Sequence, residues 1–340
     1  MNHDFTDGRK AKVNEKILIL TDGKAGHENQ SKAFARALGR EYDLVEVHFK
    51  SKLAKAASYL FDWLGVATLR PLSTAGDGGR LVSMADDGNR RPSKYSAVIG
   101  TGSGTFYAAK ALARKLGVKC GVVLYPRGYR IATFDCVLAP AFDRPAKAPN
   151  VIEIPANLVA ADEAFYEKGV AAFRERLGQR QADDDKTAVA VIVGGPNKCS
   201  TMTPAWMKAR LEEIFESGRQ LSTAVEFWVT TSRRTPPEVE AVVDSFPWNY
   251  RLLYSKDHFN PIPAFVKLAK RLYVTAESTG MLSEACTFGS AEVFALDNLK
   301  PGPHKFRRFV EDLTRDGYVG GCRKVDLSPE FAAAKELMGL

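Results

Sequence analysis

The string DGKAGHENQ, residues 22–30, gathers groups for proton transfer and anion binding within one short stretch. His27 is a general-base candidate because an ordinary imidazole titrates near neutrality, and Asp22 is a carboxylate close enough in sequence to orient it. His27 serves equally well as a helix cap or as a partner for a backbone carbonyl, and Asn29 and Gln30 can also cap the helix that follows. Gly23 and Gly26 allow a ligand close to the backbone. Amides at a helix N-terminus favour anions, and Lys24 adds a full positive charge, so this loop suits a phosphate. The spacing matches neither GxxxxGK[ST] nor GxGxxG, which argues against a P-loop or dinucleotide site.

Four further loops carry similar chemistry. Gly100, Gly102 and Gly104 alternate with Thr101, Ser103 and Thr105; they form either an anion cup or a tight turn that needs positive φ. VGGPNK sets Gly194, Gly195 and Pro196 before Asn197 and Lys198, placing small residues and a cation after a strand. TTSRRTPPE brings Thr231, Ser232, Arg233 and Arg234 together, and guanidinium forks grip phosphate with two prongs unless they are simply solvated. TAESTGMLSEA is the strongest case. Glu277, Ser278, Thr279 and Gly280 form a turn, the amides of Thr279, Gly280 and Met281 face a diphosphate at a helix N-terminus, and Glu284 accepts hydrogen bonds from ribose hydroxyls. The alternative makes Glu277 and Ser278 helix caps and Glu284 a surface acid.

These loops follow strands. β-Branched apolar runs at 16–21, 44–48, 96–100, 121–125, 136–139, 151–154, 188–193, 224–230, 251–253, 271–275 and 292–296 precede Gly- or Ser-rich turns and segments of helical period. That alternation predicts βαβ units, with one parallel sheet in each half. The expected domains are 1–155 and 186–325, with 326–340 a C-terminal helix able to pack back on the first. A surface insertion is expected near 73–95 and a charged linker between Pro155 and Lys186. Leu53 to Leu69 reads as a wide apolar helix. It is either packed in the core or lies at a membrane interface, with Lys50, Lys52 and Lys55 at anionic headgroups and Trp63 at the boundary.

A chain of 340 residues, 45% apolar and 26% charged, has room for two globular cores. It contains no apolar run long enough to span a membrane and no signal-peptide core, so a cytoplasmic or peripheral location is expected. The five scattered cysteines predict neither disulfides nor structural zinc. The net charge of +8 suits a phosphate-bearing partner or an anionic membrane, while nucleic acid lacks a motif.

The strings DGKAGHENQ, FDCVLAPAFDRP, VGGPNK, TTSRRTPPE and TAESTGMLSEA, in that order over roughly residues 21–317, resemble the plant elongated-mitochondria fission factor and its bacterial relatives, which are regarded as glycosyltransferases. The chain departs from that pattern at Ala25, where proline is usual, and at Glu277, where aspartate is usual. More distantly it resembles enzymes that add N-acetylglucosamine to a lipid-linked acceptor. This implies an α/β GT-B architecture, with two Rossmann-like domains whose parallel sheets face an interdomain cleft. It also implies acceptor contacts from Lys24, Gly26, Asn29, Gly102, Ser103 and Gly104, and donor contacts from the second half. No metal and no cofactor are implied beyond the nucleotide sugar itself, so cations and helix dipoles would stabilise the departing diphosphate.

The leading expectation is transfer of a sugar from a nucleoside-diphosphate donor to a lipid-linked or cell-surface glycan, with His27 as base. The alternatives are a nucleotide-sugar 2-epimerase, which shares the fold, and a non-enzymatic membrane-peripheral scaffold like the plant members of the resembled family.

Overall fold

The computed structural model describes residues 16–74, 94–178, 186–221 and 224–340. The insertion expected near 73–95 lies outside the described residues except at its ends. The chain divides into two compact units, the first formed by Met1–Ala139, Lys147–Ile152 and Glu330–Leu340, the second by Pro140–Ala146 and Glu153–Pro329.

In the first unit, β1 (Lys16–Thr21), β2 (Tyr42–Phe49), β3 (Leu72–Thr74), β4 (Tyr95–Thr101), β5 (Lys119–Val123), β6 (Cys136–Pro140) and β7 (Val151–Ile154) form one sheet of order β3-β2-β1-β4-β5-β6-β7. β1 pairs in parallel with β2 and β4, and the parallel ladder continues through β5 to β6. KILILT of β1 is buried at every position after Lys16, as a central parallel strand covered on both faces must be. The helices are α1 (Ala25–Ala37), α2 (Lys52–Trp63) and α3 (Phe106–Leu116), the last ending at left-handed Gly117, φ 68°.

The second unit has β8 (Thr187–Ile192), β9 (Val225–Thr230), β10 (Tyr250–Leu252), β11 (Arg271–Thr275) and β12 (Glu292–Leu296), all parallel in the order β10-β9-β8-β11-β12. Around it lie α4 (Glu163–Leu177), α5 (Pro204–Arg219), α6 (Pro237–Asp244), α7 (Ile262–Leu268), α8 (Thr279–Phe288) and α9 (Lys305–Arg315). The final helix, α10 (Ser328–Met338), falls mostly within the first unit. Asp162 and Thr203 cap α4 and α5 through their side chains, and Pro204 opens α5 without losing a helical bond.

Each apolar run named above forms a strand, its ends shifted by at most two residues. The short strand β3, antiparallel to β2, was not anticipated, because three residues carry no periodicity. The core-packed reading of the apolar helix holds for Tyr59 and Phe61, which pack on the core of the first unit, but not for the rest of its apolar arc. α2 stops at Trp63, its buried residues are Ser58 and Asp62, and Leu53 and Trp63 are 82% and 71% exposed. In both sheets the strand order reverses beside the first strand of the unit, between β1 and β4 and between β8 and β11. Such switch points leave a crevice at the carboxyl ends of the strands, where open α/β sheets take ligands.

Candidate functional site

At the first switch point the helix begins earlier than a loop reading suggests, at Ala25, so His27 stands in the first turn of α1. Its Nδ1 lies 3.0 and 3.1 Å from the two carboxylate oxygens of Asp22. Burial alone would push the Asp22 carboxyl upward. The hydrogen bond from Lys24 and the charge of His27 outweigh it and hold the group below its ordinary value. An ionised Asp22 accepts a hydrogen bond from Nδ1–H, which fixes the tautomer and leaves Nε2, unpartnered among the described residues, as a proton acceptor.

The Lys24 ammonium pairs with Asp22 and is otherwise exposed. Asn29 sits exposed in the second turn of α1, too far along to cap it, so the capping alternative does not hold for it. Gly26 opens onto free space.

The β4 loop closes on this pair. Gly102, at φ +82°, leaves no room for a side chain, since a Cβ there would stand 2.6 Å from His27 Nδ1. A Cβ on Gly104 would stand 2.7 Å from that of Asp22. Thr105 donates its hydroxyl to the Gly102 carbonyl at 3.1 Å and so fixes the turn. The amides of Ser103 and Gly104 have no partner among the described residues, and Lys55 of α2 donates to Ser103 Oγ at 2.9 Å. Two open amides beside an ammonium form an anion cradle.

At the second switch point the organising group is Glu277, 3% exposed. Its Oε1 accepts from the Gly195 amide at 2.8 Å and from the hydroxyls of Thr275 at 3.0 Å and Ser278 at 2.9 Å, while Oε2 accepts from Asn298 Nδ2 at 2.7 Å. This carboxylate ties the loops after β8, β11 and β12 together. The Gly195 amide points inward to that carboxylate and its Cα packs against the Arg234 backbone. Asn197 closes its own turn by accepting from the Cys199 amide at 2.8 Å. Thr231 is buried between Glu240 and the Tyr254 amide, and Ser232 caps the turn to Thr235.

Other residues stay available. Ser278 spends its amide on Thr275, but those of Thr279, Gly280 and Met281 have no partner among the described residues, and Gly280 faces open space. Lys198, Arg233 and Arg234 are exposed without an acidic partner among the described residues. Glu284 is half-buried and receives the Tyr166 hydroxyl on Oε1 at 2.8 Å, so it is not the surface acid of the alternative reading. Burial pushes its carboxyl up, with Tyr166 opposing in part. Tyr166 and Asn298 escaped the sequence reading, and Lys55 entered it only as a headgroup contact. Tyr166 meets Glu284 from 118 residues away, with only its burial-favouring ring as a signal.

Two parallel α/β units, each with unsatisfied amides and cations at its switch point, define a protein of the GT-B fold. Among solved structures, the UDP-GlcNAc 2-epimerase of Neisseria meningitidis bound to UDP-GlcNAc matches with TM-score 0.50 at 11% identity over 95% of this chain and 97% of that one. A UDP-glucosyltransferase from Polygonum tinctorium matches with TM-score 0.48 at 10% identity over 95% and 93%. Acinetobacter baumannii MurG matches with TM-score 0.42 at 15% identity over 96% and 89%. At such identities the likeness concerns the fold alone. No curated protein sequence matches the chain. The chain belongs to the mitochondrial fission ELM1 family, whose model matches residues 25–333.

Proposed function

We propose that the chain is a glycosyltransferase that moves a sugar from a nucleoside diphosphate held by the second unit to an acceptor hydroxyl activated by the first. In this reading His27 Nε2 takes the acceptor proton, the acceptor oxygen bonds to the anomeric carbon, and the bond from that carbon to the diphosphate breaks with its electron pair on the leaving group. Attack opposite the leaving group inverts the anomeric centre. The amides of Thr279, Gly280 and Met281, with Arg233, Arg234 and Lys198, stabilise the growing charge on the diphosphate, and Glu284 binds the ribose. Ser103, Gly104 and Lys55 suit an acceptor that itself carries phosphate.

The observation that carries this reading is the Asp22–His27 pair, a base with a fixed tautomer and an unoccupied nitrogen. The fold likeness to an epimerase bound to UDP-GlcNAc fits a nucleotide sugar as the ligand class.

A thermal-shift screen against nucleoside diphosphates and their sugars tests the binding half. A ligand present at 100 times its dissociation constant stabilises by about 2.7 kcal/mol, and no shift with any of them would overturn the reading. Incubation with UDP-sugars in the absence of acceptor tests the chemistry, because C2 epimerisation there makes the protein an epimerase instead. Full cellular function in His27→Ala and Glu284→Ala variants makes it a scaffold.

A further inference from the structure

A cavity of about 250 Å³ opens in the first unit at the amino-terminal end of β5, sharing no lining residue with the loops of Asp22 and Gly102. Within it Asp62 and Lys110 pair at 2.5 Å, with side chains 1% and 12% exposed, and Asp135 is paired with Lys119 at 2.8 Å. Those charges cancel. Two exposed guanidiniums on the cavity wall, Arg114 and Arg130, have no acidic partner among the described residues. Arg114 donates Nη1 to the Gly65 carbonyl at 2.8 Å, and Arg130 Nη2 lies 3.4 Å from where a Gly65 Cβ would be. Two guanidinium forks converging beside one glycine suit a phosphate.

The rim is apolar. Leu53, Leu60, Trp63, Leu64 and Val66 are 82, 53, 71, 57 and 45% exposed, five of the seven most exposed large hydrophobics among the described residues. Leu53, Leu60 and Leu64 share one face of α2, opposite Ser58, whose hydroxyl meets that of Tyr129 at 2.9 Å, and opposite buried Asp62. α2 packs inward through Ser58, Asp62, Tyr59 and Phe61, with the Tyr59 ring stacked on Tyr129 at 4.5 Å, and still turns a second apolar face to solvent. Asp62 is the one acid between Lys50 and Thr74, so the exposed charges there are cations, namely Lys50, Lys52 and Arg70.

We propose that this face docks on an anionic phospholipid bilayer, with Arg114 and Arg130 holding a headgroup phosphate and Leu53, Leu60, Trp63 and Leu64 entering the acyl boundary. A second copy of the chain fits poorly, because a two-fold contact sets a patch against itself and this patch offers no acids to answer its cations. The proposal stands independently of the sugar-transfer reading.

Co-sedimentation of the full chain with vesicles of phosphatidylcholine, alone or mixed with phosphatidylglycerol, tests it. Binding is expected to the mixed vesicles and to weaken with salt. Arg130→Gln and Arg114→Gln should each lower it about fivefold, and Leu53→Ser combined with Trp63→Ser should abolish it. The melting temperature of each variant without ligand should stay close to the wild-type value, which shows that they fold. Equal sedimentation with both vesicle types, or wild-type binding by the double arginine variant, would overturn the proposal. So would binding of inorganic phosphate at the two arginines with no vesicle binding, which marks a soluble-phosphate site, or a concentration-dependent dimer that Trp63→Ser abolishes.

Discussion

Gly102 packs against the imidazole of His27, where a Cβ would stand 2.6 Å from Nδ1 and closer still to Cε1, and its φ of +82° is one that side chains resist. Backbone and ring are thus fitted to each other. Gly104 does the same for the Asp22 carboxylate. The β4 loop forms a wall that fixes where the base can point.

Gly102→Ala tests that wall. The positive φ costs an alanine about 1–2 kcal/mol, and the added methyl forces the ring aside. Turnover should fall while nucleoside diphosphate affinity keeps its wild-type value, and a transfer assay run beside calorimetric titration separates the two. A wild-type rate in a folded Gly102→Ala protein would contradict the packing argument.

His27→Ala should lower turnover by about 10²- to 10⁴-fold, the usual worth of a general base. Asp22→Asn should lower it as well, since an amide no longer selects the Nδ1–H tautomer. Because the Asp22 carboxyl is held below its ordinary value of 3.8, its contribution to stability is fully present above that pH and is lost as the pH falls through the folded-state value. Melting curves should therefore show wild type above Asp22→Asn at neutral pH, with the gap closing in acid.

Glu284 has the opposite sign. Its carboxyl is raised above 4.5 by burial, so the folded chain binds that proton more tightly than the unfolded one, and the charge costs stability at neutral pH. Glu284→Gln should melt higher than wild type at pH 7, with the advantage shrinking on acidification, yet bind nucleotide more weakly because ribose hydroxyls need an acceptor. Nucleotide affinity of the wild type should begin to drop at a pH above 4.5. The same titration on Glu284→Gln should be flat.

Arg233→Ala and Arg234→Ala should each weaken a nucleoside diphosphate about tenfold or more, the scale of one charge-assisted hydrogen bond, and leave the phosphate-free nucleoside unaffected. Equal losses for both ligands would mean that the guanidiniums shape the loop rather than grip phosphate.

Glu277→Ala should cost about 3–5 kcal/mol in chemical denaturation, because it strands several donors that are sealed from water. Glu277→Gln should cost less, as its amide oxygen still accepts from some of them.

The sheets were legible because central parallel strands such as KILILT and TAVAVI announce themselves as unbroken β-branched runs. The loops at their ends were legible as chemistry, but not as to which group faces out. Glu277 and Thr231 are polar residues in ligand-rich strings, and both point inward, because the partners that claim them, Asn298, Glu240 and the Tyr254 amide, come from other segments of the chain. Local patterns carry no record of such pairings. The outward face of α2 was ambiguous for a related reason. Its apolar arc looked like any core stripe until Ser58 found Tyr129 and Asp62 found Lys110.

The brace around Glu277 divides the second unit's rim into two kinds of residue. Those under the brace set the frame, and a change at one disturbs three loops at once. The side chains of Lys198, Arg233 and Arg234, and the open side of Gly280, lie outside it, with no hydrogen bond to the Glu277 carboxylate. If the second unit binds the donor as proposed, ligand preference can drift, or be redesigned, at those four positions while the scaffold is inherited intact.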